Sequence, residues 1–175
     1  ALPIYVGLVT WSALQQYRGE HRLVGENERR CRDTDQACDQ FIKAFPPAQW
    51  GEAEISVTGD CNGWARDTRS ASNDYDIIKN RLQPLYRRLR IIAPNHNPSV
   101  TASIVATNRL LVKDLLKIHR ACTGAIESLQ TTVFDGKGGI KKPSGDTWTH
   151  RADGVRYYVE EFAAIRTRTN LGITW

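Results

Sequence analysis

The stretch Glu54-Ile-Ser-Val-Thr-Gly-Asp60-Cys-Asn-Gly63 limits the fold more than any other part of the chain. It reads as a buried strand of alternating and β-branched residues that runs into a tight turn flanked by glycines. Asp60 is left at the strand's C-terminal end, the edge where open α/β sheets place their chemistry. Gly59 and Gly63 let the backbone bend and approach closely on either side, so the carboxylate can project into a cleft instead of the core. A lone aspartate in that position reads as a turn residue or a helix cap. A second carboxylate, Asp153 in Thr149-His-Arg-Ala-Asp-Gly-Val155, has a similarly constrained setting on a candidate helix. Two such acids suggest a metal site.

With 175 residues, 41% of them hydrophobic and 25% charged, the chain can bury one substantial core, and a single domain over residues 1–175 is expected. The net charge of +5 is modest as a total. Gathered on one face it would suit a polyanion, nucleic acid first. There is no apolar run as long as a membrane span, and the N-terminal residues lack a charged leader with a cleavage site, so a cytoplasmic protein is expected. Cys31, Cys38, Cys61 and Cys122 form no C-x-x-C pair, and the histidines do not fall at zinc-finger spacing. Reduced, semi-buried thiols are expected, not zinc or disulfides.

Along the chain, Pro3–Val9 reads as a central strand, Ser12–Tyr17 as a second and His21–Glu26 as a third, with Arg18-Gly19-Glu20 turning between the last two. Thr34 can cap a helix whose Ala37, Cys38, Phe41, Ile42 and Phe45 recur on one face until Pro46-Pro47 ends it. A crossover then returns to the Asp60 strand, beside the first. This order opens an RNase H-like sheet and equally many other α/β folds. Asp74 can cap a helix stopped by Pro84. Arg87–Ala93 supplies a strand, Pro98–Leu111 a helix, Leu115–His119 a short strand and Thr123–Leu129 a further helical turn or two. The basic run from Lys79 to Arg90 is either a solvated face or part of a phosphate-binding surface.

Residues 131–143 carry a β-hairpin signature with Asp-Gly and Gly-Gly turn chemistry that points Lys137, Lys141 and Lys142 outward. Its place just before Asp153 makes it a candidate substrate-contacting flap. From Trp148 to Ile165 the apolar residues recur with a helical period. Asp153 lies in the first turns of that helix. Residues 166–175 read as a loosely held tail.

These residues together resemble the C-terminal nuclease domain of the large terminase subunit of tailed bacteriophages. The resemblance rests on Val57–Thr68, Asn73–Ile78, Asn97-Pro98, Asn108–Leu110 and His150–Tyr157, in that order and spacing. It implies an α/β, RNase H-like mixed sheet flanked by helices, with the β-hairpin before the last helix. It also implies an endonuclease that cuts double-stranded viral DNA during genome packaging, with three acids holding two Mg²⁺ or Mn²⁺ ions. Asp60 and Asp153 match two of those acids, as catalytic and metal-binding residues. An oxygen cage of carboxylates suits such ions, and a metal pair stabilises both oxygens of an in-line displacement. His150 either supports the acid or the leaving group, or is a satisfied helix-start histidine. Arg66 is a candidate phosphate contact or a structural ion pair. Gly154 fits close packing of helix on sheet. By resemblance the partners are double-stranded DNA, a terminase ATPase domain, the small terminase subunit and the portal, in the host bacterial cytoplasm.

The chain departs from the family pattern in its first strand. No carboxylate lies between Ala1 and Arg18, where Leu8-Val-Thr-Trp11 stands in place of an expected aspartate. Either the site is inactive, or Glu20 or Glu26 completes it, or a short segment carrying an aspartate and a turn is missing between Gly7 and Ser12. The phosphate-cradling G-x-x-x-x-G-K-[ST] loop of a packaging motor is absent as well, so the chain corresponds at most to the nuclease half. Two other classes stay open: a nuclease-like module that binds DNA or a packaging partner without cutting, and another RNase H-like nuclease such as a junction resolvase. Neutralising Lys137, Lys141 and Lys142 together should weaken DNA binding with little sequence preference and flatten its salt dependence by up to about 0.9 log units per lost phosphate contact. Fluorescence anisotropy over a salt series measures this, and an unchanged slope would make the hairpin a solvated decoration.

Overall fold

The computed structural model describes residues 4–6, 11–27, 31–65, 72–133, 135, 139–141 and 149–163. Strands β1 (Ile4–Val6), β2 (Ser12–Tyr17) and β3 (Glu20–Glu26) open the chain, followed by helices α1 (Thr34–Ala44) and α2 (Pro47–Trp50) and strand β4 (Glu54–Val57). A short 3-10 turn over Cys61–Trp64 leads to α3 (Asp74–Leu82), β5 (Arg88–Ile91), α4 (Val100–Val112), β6 (Leu116–Ile118), α5 (Thr123–Thr131) and α6 (Thr149–Tyr158). The last helix continues as a π-helical segment, Val159–Ala163.

The strands form one six-stranded sheet in the order β5-β4-β1-β2-β3-β6. β4 pairs parallel with β1 through Val6↔Val57, β5 parallel with β4, and β6 parallel with β3. β2 alone runs antiparallel to its neighbours. The mixed sheet is the one expected, with the Asp60 strand beside the first. Because every strand but β2 points the same way, the ends of β4 and β5 open onto one edge, together with the start of β2.

Alternation along the strands splits the core in two. Ala13, Ile55 and Val57 pack against Phe41 of α1 and Tyr75, Ile78 and Leu82 of α3. Leu14, Leu23 and Leu116 pack on the other face against Leu110 of α4, Ala125 of α5, and Val155 and Tyr158 of α6. Cys31, Cys38 and Cys122 are free thiols buried more deeply than the semi-buried setting expected, and Cys61 is partly buried.

Local chemistry sets the element ends. Between β2 and β3, Arg18 (φ 50°) and Gly19 (φ 83°) both sit at positive φ, the condition of a two-residue hairpin turn whose twist matches the strands. The helix caps fall one residue earlier than the sequence suggested. Asp33, not Thr34, caps α1 by accepting from the Gln36 amide at 2.9 Å. Asn73, not Asp74, caps α3 by accepting from the Asp76 amide at 2.8 Å. Asp74 instead accepts from the Thr34 hydroxyl, which ties the two helix starts together. Of the expected hairpin, the limbs meet through Asp135 N–H to Gly139 O (3.1 Å) and Lys141 N–H to Val133 O (2.9 Å), and Lys141 is exposed. Lys137 and Lys142 lie outside the described residues, as do Arg66, residues 7–10 and the tail.

Gly154 is not forced by close packing, contrary to expectation. A Cβ built there meets only Ser12 Oγ at 4.0 Å, an ordinary contact. Inside a helix, glycine costs roughly 0.5–1 kcal/mol relative to alanine. Gly154→Ala should therefore raise stability by about that amount, measured by urea denaturation. A loss of stability would mean that the interface tolerates less than this geometry allows.

Candidate active site at the carboxyl edge of the sheet

Asp60 leaves β4 at the carboxyl edge and starts the Cys61–Trp64 turn, whose cap it is. Its Oδ1 accepts from the Asn62 backbone N–H at 2.8 Å and from Asn97 Nδ2 at 2.9 Å, while Asn97 Oδ1 takes the Cys61 N–H at 2.9 Å. Asn97 arrives on the loop between β5 and α4, so one carboxamide ties two loops of the edge together. Two phenols complete the setting. Tyr75 of α3 donates to the Asp60 carbonyl oxygen at 2.8 Å, and Tyr157 of α6 reaches Asp60 Oδ2 at a long 3.4 Å. Partial burial alone would raise the Asp60 pKa. The hydrogen bonds from Asn62, Asn97 and Tyr157 outweigh that and hold it below the ordinary range, so the carboxylate is a standing anion. Burial, reinforced by negative charge nearby, raises both phenols, which therefore stay protonated donors.

Asp153 lies one helical turn before Tyr157, and Asp60 and Asp153 both contribute to the negative potential that raises that phenol. The two acids are thus neighbours of one side chain. Asp153 Oδ1 pairs with Arg156 of its own helix, and Arg156 is itself 6% exposed. Asp153 Oδ2 accepts no hydrogen bond among the described residues. His150 sits exposed in the first turn of α6 and makes no hydrogen bond or ion pair among the described residues.

Of the two glutamates considered as a third acid, one lies at the wrong end of the sheet and the other already holds the start of a helix. Glu20 pairs with Tyr17 at the opposite end of the β2–β3 hairpin, where it binds Arg22. Glu26 stands at the correct end, opposite Ser12, but both its oxygens are taken. They accept from the Gly124 and Ala125 amides at 2.8 and 2.9 Å and complete the start of α5, whose Cys122 cap lacks a side-chain bond. Arg151 also approaches Glu26, at 3.5 Å, and Gly124 leaves it room, since a Cβ there would lie 1.2 Å from the guanidinium. Among the described residues no group of three or more His, Cys, Asp or Glu side chains could hold a metal.

The residues nevertheless fit a hard divalent cation. The donors are oxygens only: two carboxylates, one of them a standing anion. Magnesium sites commonly use one or two carboxylates and take their remaining oxygens from water and substrate phosphate. The Thr58 hydroxyl, two residues before Asp60, is buried with no hydrogen-bond partner among the described residues.

The mixed sheet, covered by helices on both faces, has the RNase H-like arrangement expected. No protein-family profile and no curated protein matches the sequence. Solved structures do match. The chain is similar to the large terminase of a thermophilic bacteriophage, with a TM-score of 0.61 and 15% identity over 93% of this chain and 40% of that one. It is similar to the nuclease domain of the P22 large terminase, with a TM-score of 0.58 and 16% identity over 89% of this chain and 77% of that one. The thermophilic phage's terminase in complex with ATP-gamma-S gives a TM-score of 0.61 at 16% identity over 92% of this chain and 40% of that one. The fold is that of a large-terminase nuclease domain, and the chain spans about two fifths of the thermophilic phage's protein. Among the described residues no helix is long and apolar enough to cross a membrane.

Asn97, Tyr75, Tyr157 and Arg156 were not assigned roles from the sequence. The available signal was spacing: Tyr157 follows Asp153 by four residues, on the same helical face. Replacing Asn97 with Ala should raise the Asp60 pKa towards its ordinary value and cost roughly 1 kcal/mol. Because the folded pKa is depressed, Asp60 contributes stability that is present above the unfolded pKa and lost as pH falls through the folded one. In N97A that loss should be smaller and complete at a higher pH, because the folded pKa has moved up towards an unchanged unfolded one. A ¹³C carboxyl titration with urea melts at pH 7 and pH 3 tests it, and an Asp60 titration unchanged in N97A would remove Asn97 from the clamp.

Proposed function

We propose that the chain is a metal-dependent endonuclease domain that cuts double-stranded viral DNA during genome packaging, a single nuclease domain over residues 1–175. The observation that carries the reading is Asp60, held ionised at the parallel edge of the sheet with Asp153 beside the same phenol. In this reading Asp60 and Asp153 hold Mg²⁺ or Mn²⁺, two ions in all. When bound, the ions stabilise the attacking and leaving oxygens of the phosphodiester displacement. Asn97 and the Asn62 amide fix the orientation of Asp60, and Tyr157 keeps its proton aimed at Oδ2. His150 supports the leaving group or the acid from the exposed start of α6. Arg66, Lys137, Lys141 and Lys142 contact DNA phosphates, and those of them on the hairpin follow the duplex. The packaging ATPase domain, the small terminase subunit and the portal are its partners, in the host cytoplasm.

A specific observation favours a second reading. The described edge offers two carboxylates where the two-ion arrangement uses three, and Glu26 is committed elsewhere. A nuclease-like module that binds DNA or a packaging partner without cutting would need no third acid.

Plasmid nicking with Mn²⁺ separates the two. Cleavage by the wild-type chain should fall roughly a hundredfold or more in Asp60→Asn and in Asp153→Asn, since losing a ligand costs at least as much as losing a residue that orients one. Circular dichroism should report an intact fold. Supercoiled plasmid left intact by the wild type would establish the binding module, and full activity in both variants would place the chemistry elsewhere.

A further inference from the structure

Among the described residues Arg156 is the least exposed cation at the edge, and it is tied on two sides. One terminal nitrogen pairs with Asp153 and the other donates to Ser103 Oγ of α4 at 2.9 Å. Ser103 is itself fully buried. The third group, Nε, is buried with no hydrogen-bond partner among the described residues. A buried charge persists where it is paired, and an unpaired N–H in the same group is costly. The guanidinium is therefore held chiefly by Asp153. Its charge also matters: with Arg156 in place, Asp60 is the one uncompensated carboxylate of the pair.

Beside Arg156 lies a cleft of about 180 Å³, lined by Ile104, Thr107, Asn108, Leu129 and Thr132. The Thr107 and Thr132 hydroxyls donate to backbone carbonyls, which leaves their oxygens able to accept. Val133 and Ala152 also line the cleft, so its wall is mainly apolar, and the two hydroxyls are among the few acceptors it offers a guanidinium.

We propose that Arg156 is a positioning residue for Asp153: a built-in cation that holds and neutralises the carboxylate until a divalent cation takes its place, with the adjoining cleft receiving the displaced guanidinium. The proposal rests on the reading of Asp153 as a metal ligand. It assigns the two acids different duties. Asp60 binds an ion readily, whereas Asp153 offers only Oδ2 while Arg156 holds Oδ1, and binds one with both oxygens only when Arg156 lets go.

The test is Mn²⁺ binding to the full chain without DNA, followed by the EPR signal of free Mn²⁺ together with melting curves. Arg156 and the ion compete for the same carboxylate and repel each other, so Arg156→Gln should tighten Mn²⁺ binding about tenfold or more. Its Tm should fall without metal and recover most of the loss with saturating Mn²⁺. Ser103→Ala keeps the charge but removes the anchor on α4, and should tighten binding by a smaller factor, so it carries the test if Arg156→Gln fails to fold. An unchanged Kd, with the same Tm loss with and without Mn²⁺, would reduce Arg156 to a staple between α4 and α6 and overturn the proposal while the metal reading stands. If the wild type binds no Mn²⁺, or Asp153→Asn binds it as the wild type does, the metal reading itself falls and takes this proposal with it.

Discussion

The arrangement depends on one residue being gripped from both sides of the sheet. Tyr75 belongs to the helix layer on one face and Tyr157 to the layer on the other, and both phenols converge on Asp60 at the edge between them. Neither helix alone could place the carboxylate. Tyr75 fixes the backbone by donating to its carbonyl, and Tyr157 meets the side chain. With Asn62 and Asn97 on the remaining oxygen, Asp60 keeps little freedom to choose another rotamer. The site is therefore as rigid as the packing of the two layers, and that packing is the buried apolar surface of the two core clusters.

Charge is distributed unequally across the edge. Asp60 receives neutral donors, which lower its pKa without cancelling its charge. Asp153 receives a cation, and Glu26 receives two backbone amides with an arginine nearby. Three carboxylates at the same end of the sheet thus have three different electrostatic fates. Of these three, Asp60 alone keeps its charge uncompensated and its oxygens fixed. Glu26 contributes to architecture, holding the first turn of α5 where no capping side chain is present.

Much of the architecture was legible in the residues because local and global signals agree. The β-branched run ending in Thr58-Gly-Asp60, the Arg18-Gly19 turn and the apolar period of α1 each specify one local structure, and the sheet assembles from them. The helix caps were misplaced by one residue because Asp33-Thr34 and Asn73-Asp74 are adjacent capping residues of nearly equal merit, and only the tertiary tie between Thr34 and Asp74 decides between them. The pairing of Asp60 with the Asp153 helix was legible in outline, whereas Asn97 and Tyr75 were not given roles. Their contacts cross from one loop or layer to another, and nothing in a periodicity announces them. Glu26 shows the opposite failure: a carboxylate at the right end of the sheet cannot be told from a ligand until its partners are known.

The separation in sequence between the parts of this edge has a consequence for biosynthesis. Asn97 lies 37 residues from Asp60 and Tyr157 lies 97 residues from it. Contacts of such range close late, because the entropy of the intervening chain must be overcome first. While the chain is emerging from a ribosome, β4 and its aspartate are exposed long before α6 exists. During that interval Asp60 is an ordinary, mobile carboxylate with no second acid beside it. A half-made chain therefore holds no assembled pair of acids, and the edge is complete only when the final described helix docks across the sheet.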